Sequence, residues 1–201
     1  RYIYIRDNAT GDYWSASWQP VGKDLHSYKS ECRHGVGYTK MSADYADIHS
    51  ETTYYVPDGK TYEVWAATIT NNSAQTRELT LTGYAEFTNH SNYEQDQVNL
   101  QYSLFISRTQ FCDNRIMQKL HGNLDTLENG EKVDNKDVTE RFFGLAGAPV
   151  ASYCGDKECF LGRYHGYNNP QGVENGDLGN ITSYNENSCG ALSTILTLAP
   201  G

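Results

Sequence analysis

Residues 77–87, R-E-L-T-L-T-G-Y-A-E-F, decide what kind of fold this chain adopts. Leu79, Leu81, Ala85 and Phe87 alternate with Glu78, Thr80, Thr82, Tyr84 and Glu86, and a period of two puts successive side chains on opposite faces of a strand. The reading is a half-buried strand with one face on a core and the other in water. Immediately upstream, Tyr62–Thr70 reads as its hairpin partner, turning at N-N-S-A-Q. Gly37–Ala43 and Ile48–Val56 form another hairpin around Asp44–Asp47, closed by P-D-G at Pro57–Gly59. Tyr2–Trp18 supplies a third: Y-I-Y-I-R, a turn at D-N-A-T-G-D, then Y-W-S-A-S-W. Downstream, strand character covers Asn99–Gln110 and Arg115–His121, and Asp125–Thr139 reads as a charged surface loop with a short helical turn. From Arg141 the run F-F-G-L-A-G-A-P-V-A-S-Y reads as one apolar strand, Tyr164–Asn187 as a Gly/Asn-rich excursion, and Ser188–Leu198 as the closing strand. Many short strands with few helix candidates predict an all-β fold, a large antiparallel two-sheet sandwich.

A length of 201 residues suits one such domain. The excess of 25 acidic over 16 basic residues, net charge -9, argues against nucleic acid and anionic membrane as partners. Cys32, Cys112, Cys154, Cys159 and Cys189 are odd in number and irregularly spaced, which points to a reducing, cytoplasmic setting rather than a disulfide framework. C-G-D-K-E-C at 154–159 has no second ligand pair at zinc-site spacing, and His26, His49, His90, His121 and His165 are scattered, so neither a metal nor another cofactor is expected. Nothing within residues 1–201 reads as a signal peptide or as an apolar run of membrane length.

Two stretches carry candidate chemistry. Asp12–Thr39 packs Trp14, Trp18, Gln19, Pro20, Arg33 and His34 into one connection. Sugars present apolar ring faces and dense hydroxyls, and a site for them needs flat aromatic surface beside fixed donors and acceptors. The competing reading has the tryptophans closing one end of a β core. Arg33 either forks onto a carboxylate or phosphate or pairs with an acid such as Glu31 or Asp12; His34 either titrates near neutrality or bonds to backbone ahead of a glycine turn. The second stretch is a polar insertion, Thr88–Val98, which with Asn99 offers Asn92, Tyr93, Gln95, Asp96, Gln97 and Asn99. Amides both donate and accept, as sugar hydroxyls require, without bringing a charge. Asp44, Asp47, Glu86, Glu94 and Asp96 read as solvated loop and strand-face charges.

R-Y-I-Y-I-R-D, T-G-D-Y-W-S-A-S-W-Q-P-V, E-C-R-H-G-V-G-Y-T, Y-E-V-W, G-Y-A-E-F, C-F-L-G-R-Y and C-G-A-L-S-T-I-L-T-L-A-P-G together resemble the amino-terminal β-sandwich region of glycoside hydrolase family 94, once glycosyltransferase family 36, the cellobiose and N,N'-diacetylchitobiose phosphorylases. The likeness covers nearly the whole chain. It implies a galactose-mutarotase-like supersandwich over residues 1–201 that lacks its first strands, and a helical (α/α)6 barrel that lies outside this chain. It further implies a cytoplasmic homodimer that cleaves a disaccharide by inverting phosphorolysis, with inorganic phosphate as co-substrate. The proton-donating Asp and the phosphate site belong to the barrel, so this fragment alone is expected to be inactive. By the same resemblance the insertion reaches the partner subunit's barrel and walls the acceptor-sugar side. That assigns substrate binding to Asn92, Gln95, Gln97 and Asn99, with Arg33 and His34 as a second cluster. N-H-S-N-Y-E-Q-D-Q lacks the tryptophan and paired aspartates of the cellobiose enzymes, whereas W-S-A-S-W-Q-P-V-G-K and C-G-A-L lean toward the chitobiose type. The rival reading is a free-standing carbohydrate-binding module.

Overall fold

The computed structural model describes residues 1–88, 98, 104–120, 124–126, 132–134 and 140–201. Its middle layer is a five-stranded antiparallel sheet in the order β13 (Ser152–Asp156), β14 (Ser188–Leu198), β7 (Arg77–Glu86), β1 (Tyr2–Asp7), β2 (Tyr13–Ser15). A four-stranded sheet runs β3 (Lys29–Gly35), β4 (Tyr38–Tyr45), β5 (Ile48–Tyr55), β6 (Val64–Asn71), and a three-stranded sheet runs β12 (Arg141–Gly144), β9 (Arg115–Leu120), β8 (Ser107–Cys112). A ribbon of β10 (Leu124–Thr126) and β11 (Lys132–Asp134) and two short helices, α1 (Lys157–Leu161) and α2 (Gln171–Asn175), complete the described elements. The expected all-β antiparallel fold is what forms.

The middle sheet has two dry faces. On one, Ile3, Ile5, Trp14 and Leu79 pack with Tyr28, Ala43 and Ile48 of the four-stranded sheet and its approach, which makes the sandwich core. On the other, Tyr4 and Tyr84 pack with Phe160 of α1, Val173 of α2 and Leu178. This corrects the expectation of one wet face on β7: Thr80, Thr82 and Tyr84 are 3%, 2% and 0% exposed. The tyrosine ring is apolar except at its hydroxyl, so the segment around α1 and α2 can cover that face; the rings of Tyr84 and Phe160 stack at 4.5 Å. Among the described residues no helix is long and apolar enough to cross a membrane.

The hairpins β1–β2 and β4–β5 form as expected. At the β4–β5 turn Ala46 and Asp47 both adopt positive φ, 51° and 61°, the left-handed pair whose twist matches a two-residue hairpin. Other expectations change. The connection from 12 to 39 is shorter than it reads, because E-C-R-H-G lies inside strand β3. Tyr62–Thr70 does not pair with β7: β6 joins β5 in one sheet while β7 joins β1 and β14 in the other, so N-N-S-A-Q turns a corner between layers. The apolar run after Arg141 splits into β12 and β13 in different sheets, interrupted around Pro149, which cannot donate to a ladder. Within 125–139 the described residues belong to strands β10 and β11, and the rest of that stretch lies outside the described residues. Of the strand expected over Asn99–Gln110, the described residues are helical at 104–106 and enter β8 at Ser107.

Candidate functional site

The candidate site is the carboxyl end of β7, beside the last described residues before the polar insertion. Glu86 terminates the strand with an exposed side chain, yet its Oε1 collects three donors. The Tyr84 hydroxyl donates to it at 3.0 Å, the Tyr167 hydroxyl donates to it, and the Lys157 ammonium lies at 3.1 Å. The ring of Tyr2 stacks on Tyr84 at 6.2 Å and meets Tyr167 at 5.4 Å, so the hydroxyls are held by packed rings. Burial pushes the Glu86 carboxyl up, but the Tyr167 hydroxyl and the Lys157 ammonium outweigh it and hold the group below the ordinary carboxylate range. The Tyr167 hydroxyl is pushed up by burial and by the carboxylate it bonds. A carboxylate kept ionised in this way is an anchor and a poor proton donor. Sequence reasoning read Glu86 as a solvated strand-face charge, and it is exposed, but its three donors were not foreseen; the nearest clue was the Tyr two residues earlier, on the same face of the strand.

Asn92, Gln95, Gln97 and Asn99 lie outside the described residues. Arg33 and His34 lie within them, on β3, all seven of whose residues are exposed. Successive strand residues face opposite ways, so β3 presents Arg33 and His34 to different sides. Arg33 forks onto Glu31 through Nε at 2.8 Å and Nη2 at 3.1 Å, and its guanidinium holds the Glu31 carboxyl below its usual range. Asp12, the other acid considered for Arg33, instead bonds Lys23 at 2.5 Å and Tyr45 at 2.9 Å. His34 does not bond backbone: Nδ1 lies 3.1 Å from Thr39 Oγ1 and Nε2 lies 3.5 Å from Cys32 Sγ. The two tryptophans divide. Trp14 is 1% exposed in the sandwich core, and Trp18 lies at the surface with its indole N–H donated to the Lys23 carbonyl at 2.7 Å.

One concavity accompanies these features, a cleft of about 890 Å³ between β6 and β12. Its floor is apolar, formed by Ile3, Leu81, Gly83, Ala85 and Leu192 of the middle sheet. A sugar site needs convergent hydrogen-bonding groups, and this floor has none.

The whole chain, residues 1–201, matches the family model of the glycosyl hydrolase 94 supersandwich domain. It is 37% identical over 201 residues to an N,N'-diacetylchitobiose phosphorylase of Vibrio proteolyticus and 37% identical over 200 residues to that of Vibrio furnissii. It is 30% identical over 209 residues to a solabiose phosphorylase of Paenibacillus borealis. In each case all of this chain is matched but only 24% of the relative's length, so the chain spans about a quarter of these proteins. With its layered antiparallel sheets and a match from end to end, the chain belongs to glycosyl hydrolase family 94, as the supersandwich domain of that family.

Proposed function

We propose that this domain is the non-catalytic sandwich of an inverting β-glycoside phosphorylase that acts as a cytoplasmic homodimer, and that it supplies scaffold, dimer contacts and part of the acceptor-sugar site. In the reaction, a phosphate oxygen attacks the anomeric carbon from the face opposite the leaving group. The glycosidic C–O bond breaks, the leaving oxygen takes a proton from a carboxylic acid, and an α-sugar 1-phosphate and a free sugar result. The observation that carries this reading is the match of the entire chain to disaccharide phosphorylases, with chitobiose phosphorylases at 37% identity. N-acetylglucosamine units are accordingly the favoured sugars. Within the domain, Glu86, Lys157 and Tyr167 fix the end of β7, the strand that precedes Asn92, Gln95, Gln97 and Asn99 in sequence. Arg33, paired with Glu31 on an open strand, is available for contacts with other parts of the protein.

The test is phosphate release from sugar 1-phosphates by the full-length protein, offered glucose, N-acetylglucosamine and gluconate as acceptors. Release with N-acetylglucosamine is expected, and silence with every acceptor from a folded protein would overturn the phosphorylase reading. Replacing Asn92, Gln95 and Asn99 by Ala should raise acceptor KM more than it lowers kcat, because these groups bind sugar without touching the bond that breaks. Unchanged acceptor kinetics would remove the insertion from the site.

A further inference from the structure

The cleft between β6 and β12 is bounded by two strands that, among the described residues, are each the edge of their sheet. On β6 the side that faces away from β5 can be read from the hydrogen bonds. Asn72 N donates to Asp47 O at 2.8 Å, and continuing that antiparallel register turns the N–H and C=O groups of Val64, Ala66, Thr68 and Thr70 toward β5. Those of Trp65, Ala67, Ile69 and Asn71 therefore point outward. Trp65 and Ile69 pack inward on the sandwich core, and Ala67 shares their face yet is exposed, because the layer beside it is open. An unblocked edge above an apolar floor is a template for another strand.

One end of that edge is already engaged. Gly201 N donates to Asn71 O at 2.8 Å, an outward-facing acceptor of β6. The approach follows from the middle sheet. β14 runs antiparallel to β7 up to Leu198 opposite Arg77, and β7 is joined to β6 by the 72–76 corner. The Asn71 amide ties the two corners together, donating to Gln75 O at 2.7 Å and to Leu198 O at 2.9 Å. The chain thus turns out of the middle sheet beside the corner that β6 and β7 make, and it arrives on the open side of β6 heading antiparallel to it.

We propose that the polypeptide following Gly201 forms a strand in this cleft, hydrogen-bonded along β6 from Asn71 back toward Trp65 and flanked on its other side by β12. The four-stranded and three-stranded sheets then become one continuous sheet over the middle layer, and the apolar floor of Leu81, Ala85 and Leu192 is covered. The cleft is a socket for the protein's own chain and not a ligand pocket. In the relatives the matched region is only 24% of the length, so most of their polypeptide lies outside it.

Residue-resolved hydrogen exchange on the full-length protein tests the pairing. The amides of Trp65, Ala67 and Ile69 should exchange at least about tenfold more slowly than an unstructured chain; exchange at the unstructured rate would overturn the proposal. Cysteine scanning identifies the occupant. From the Gly201–Asn71 register, Ala66→Cys lies opposite the fifth residue after Gly201. Single cysteines placed at the third to seventh residues after Gly201 should form a disulfide with Ala66→Cys that peaks inside this window. Protected amides with no cross-link anywhere in the window would mean that another segment fills the cleft, and this assignment would fail.

Discussion

Glu86 shows how much one side chain can carry at the boundary between scaffold and site. Its folded-state pKa is held below the ordinary value of 4.5 because the hydroxyls of Tyr84 and Tyr167 and the Lys157 ammonium favour the anion more than burial opposes it. A depressed carboxyl contributes stability that is present above its unfolded pKa and is lost as pH falls through the folded pKa. Glu86→Gln should therefore lower the urea midpoint of β7 at pH 7, and the difference from the natural protein should shrink as pH drops below 4.5 and vanish once both states are protonated. Pulse-labelled amide exchange in the full-length protein reads that midpoint strand by strand. A gap that persists unchanged at acid pH would show that the Gln acts by mispacking rather than by loss of charge. Arg33 and Glu31 make the contrast: both are strongly exposed, so their pair is screened by water and adds little to stability.

The corner between β6 and β7 illustrates what local sequence can and cannot express. N-N-S-A-Q carries the turn residues of a hairpin, and two alternating runs flank it, so pairing across it is the natural reading. What separates the runs is Asn71, 2% exposed, whose side chain is fully used: its amide N–H groups go to Gln75 O and Leu198 O, and its Oδ1 accepts from the Ser73 N–H and hydroxyl. The bond to Leu198 comes from 127 residues away, and no windowed pattern contains it. Strand existence, by contrast, was legible wherever alternation or a β-branched and aromatic run was strong, as in β1, β5 and β14. The Glu86 anchor was illegible for the same reason as the corner, since Lys157 and Tyr167 reach it from distant sequence. Asn71→Ala should cost about 2–3 kcal/mol, because a buried side chain loses all four of its hydrogen bonds. Asn71→Asp should cost at least as much, as it sets a carboxylate oxygen against two carbonyls. Chemical unfolding of the full-length protein with amide exchange at β6 and β7 checks both, and a neutral Asn71→Asp would refute this account of the corner.

Phe143 joins all three principal sheets. Its ring lies against Gly83 and Gly190 of the middle sheet and packs on Trp65 of β6 at 5.1 Å, while β12 carries it from the three-stranded sheet. A Cβ on Gly190 would sit 2.6 Å from Phe143 Cβ and 3.0 Å from its Cγ, close to the base of the side chain, where no rotamer change gives relief. These glycines are therefore required by the approach of a neighbouring layer. Gly190→Ala should destabilise by about 1–3 kcal/mol through overpacking, and Phe143→Ala by about 2–3 kcal/mol through lost contacts and a void. The two changes act on one contact, so they should not add. Phe143→Ala removes the Cγ and Cδ1 contacts while keeping its own Cβ 2.6 Å from the new methyl, so relief is partial and comes from the shortened side chain letting β12 shift; the double variant should be less destabilised than the sum by at least about 0.5 kcal/mol. A large multidomain protein does not unfold in two states, so opening free energies from amide exchange in β7 and β14 are the measurement to use. Strict additivity would mean that the three-stranded sheet is held against the middle layer by something other than Phe143 on its glycine bed.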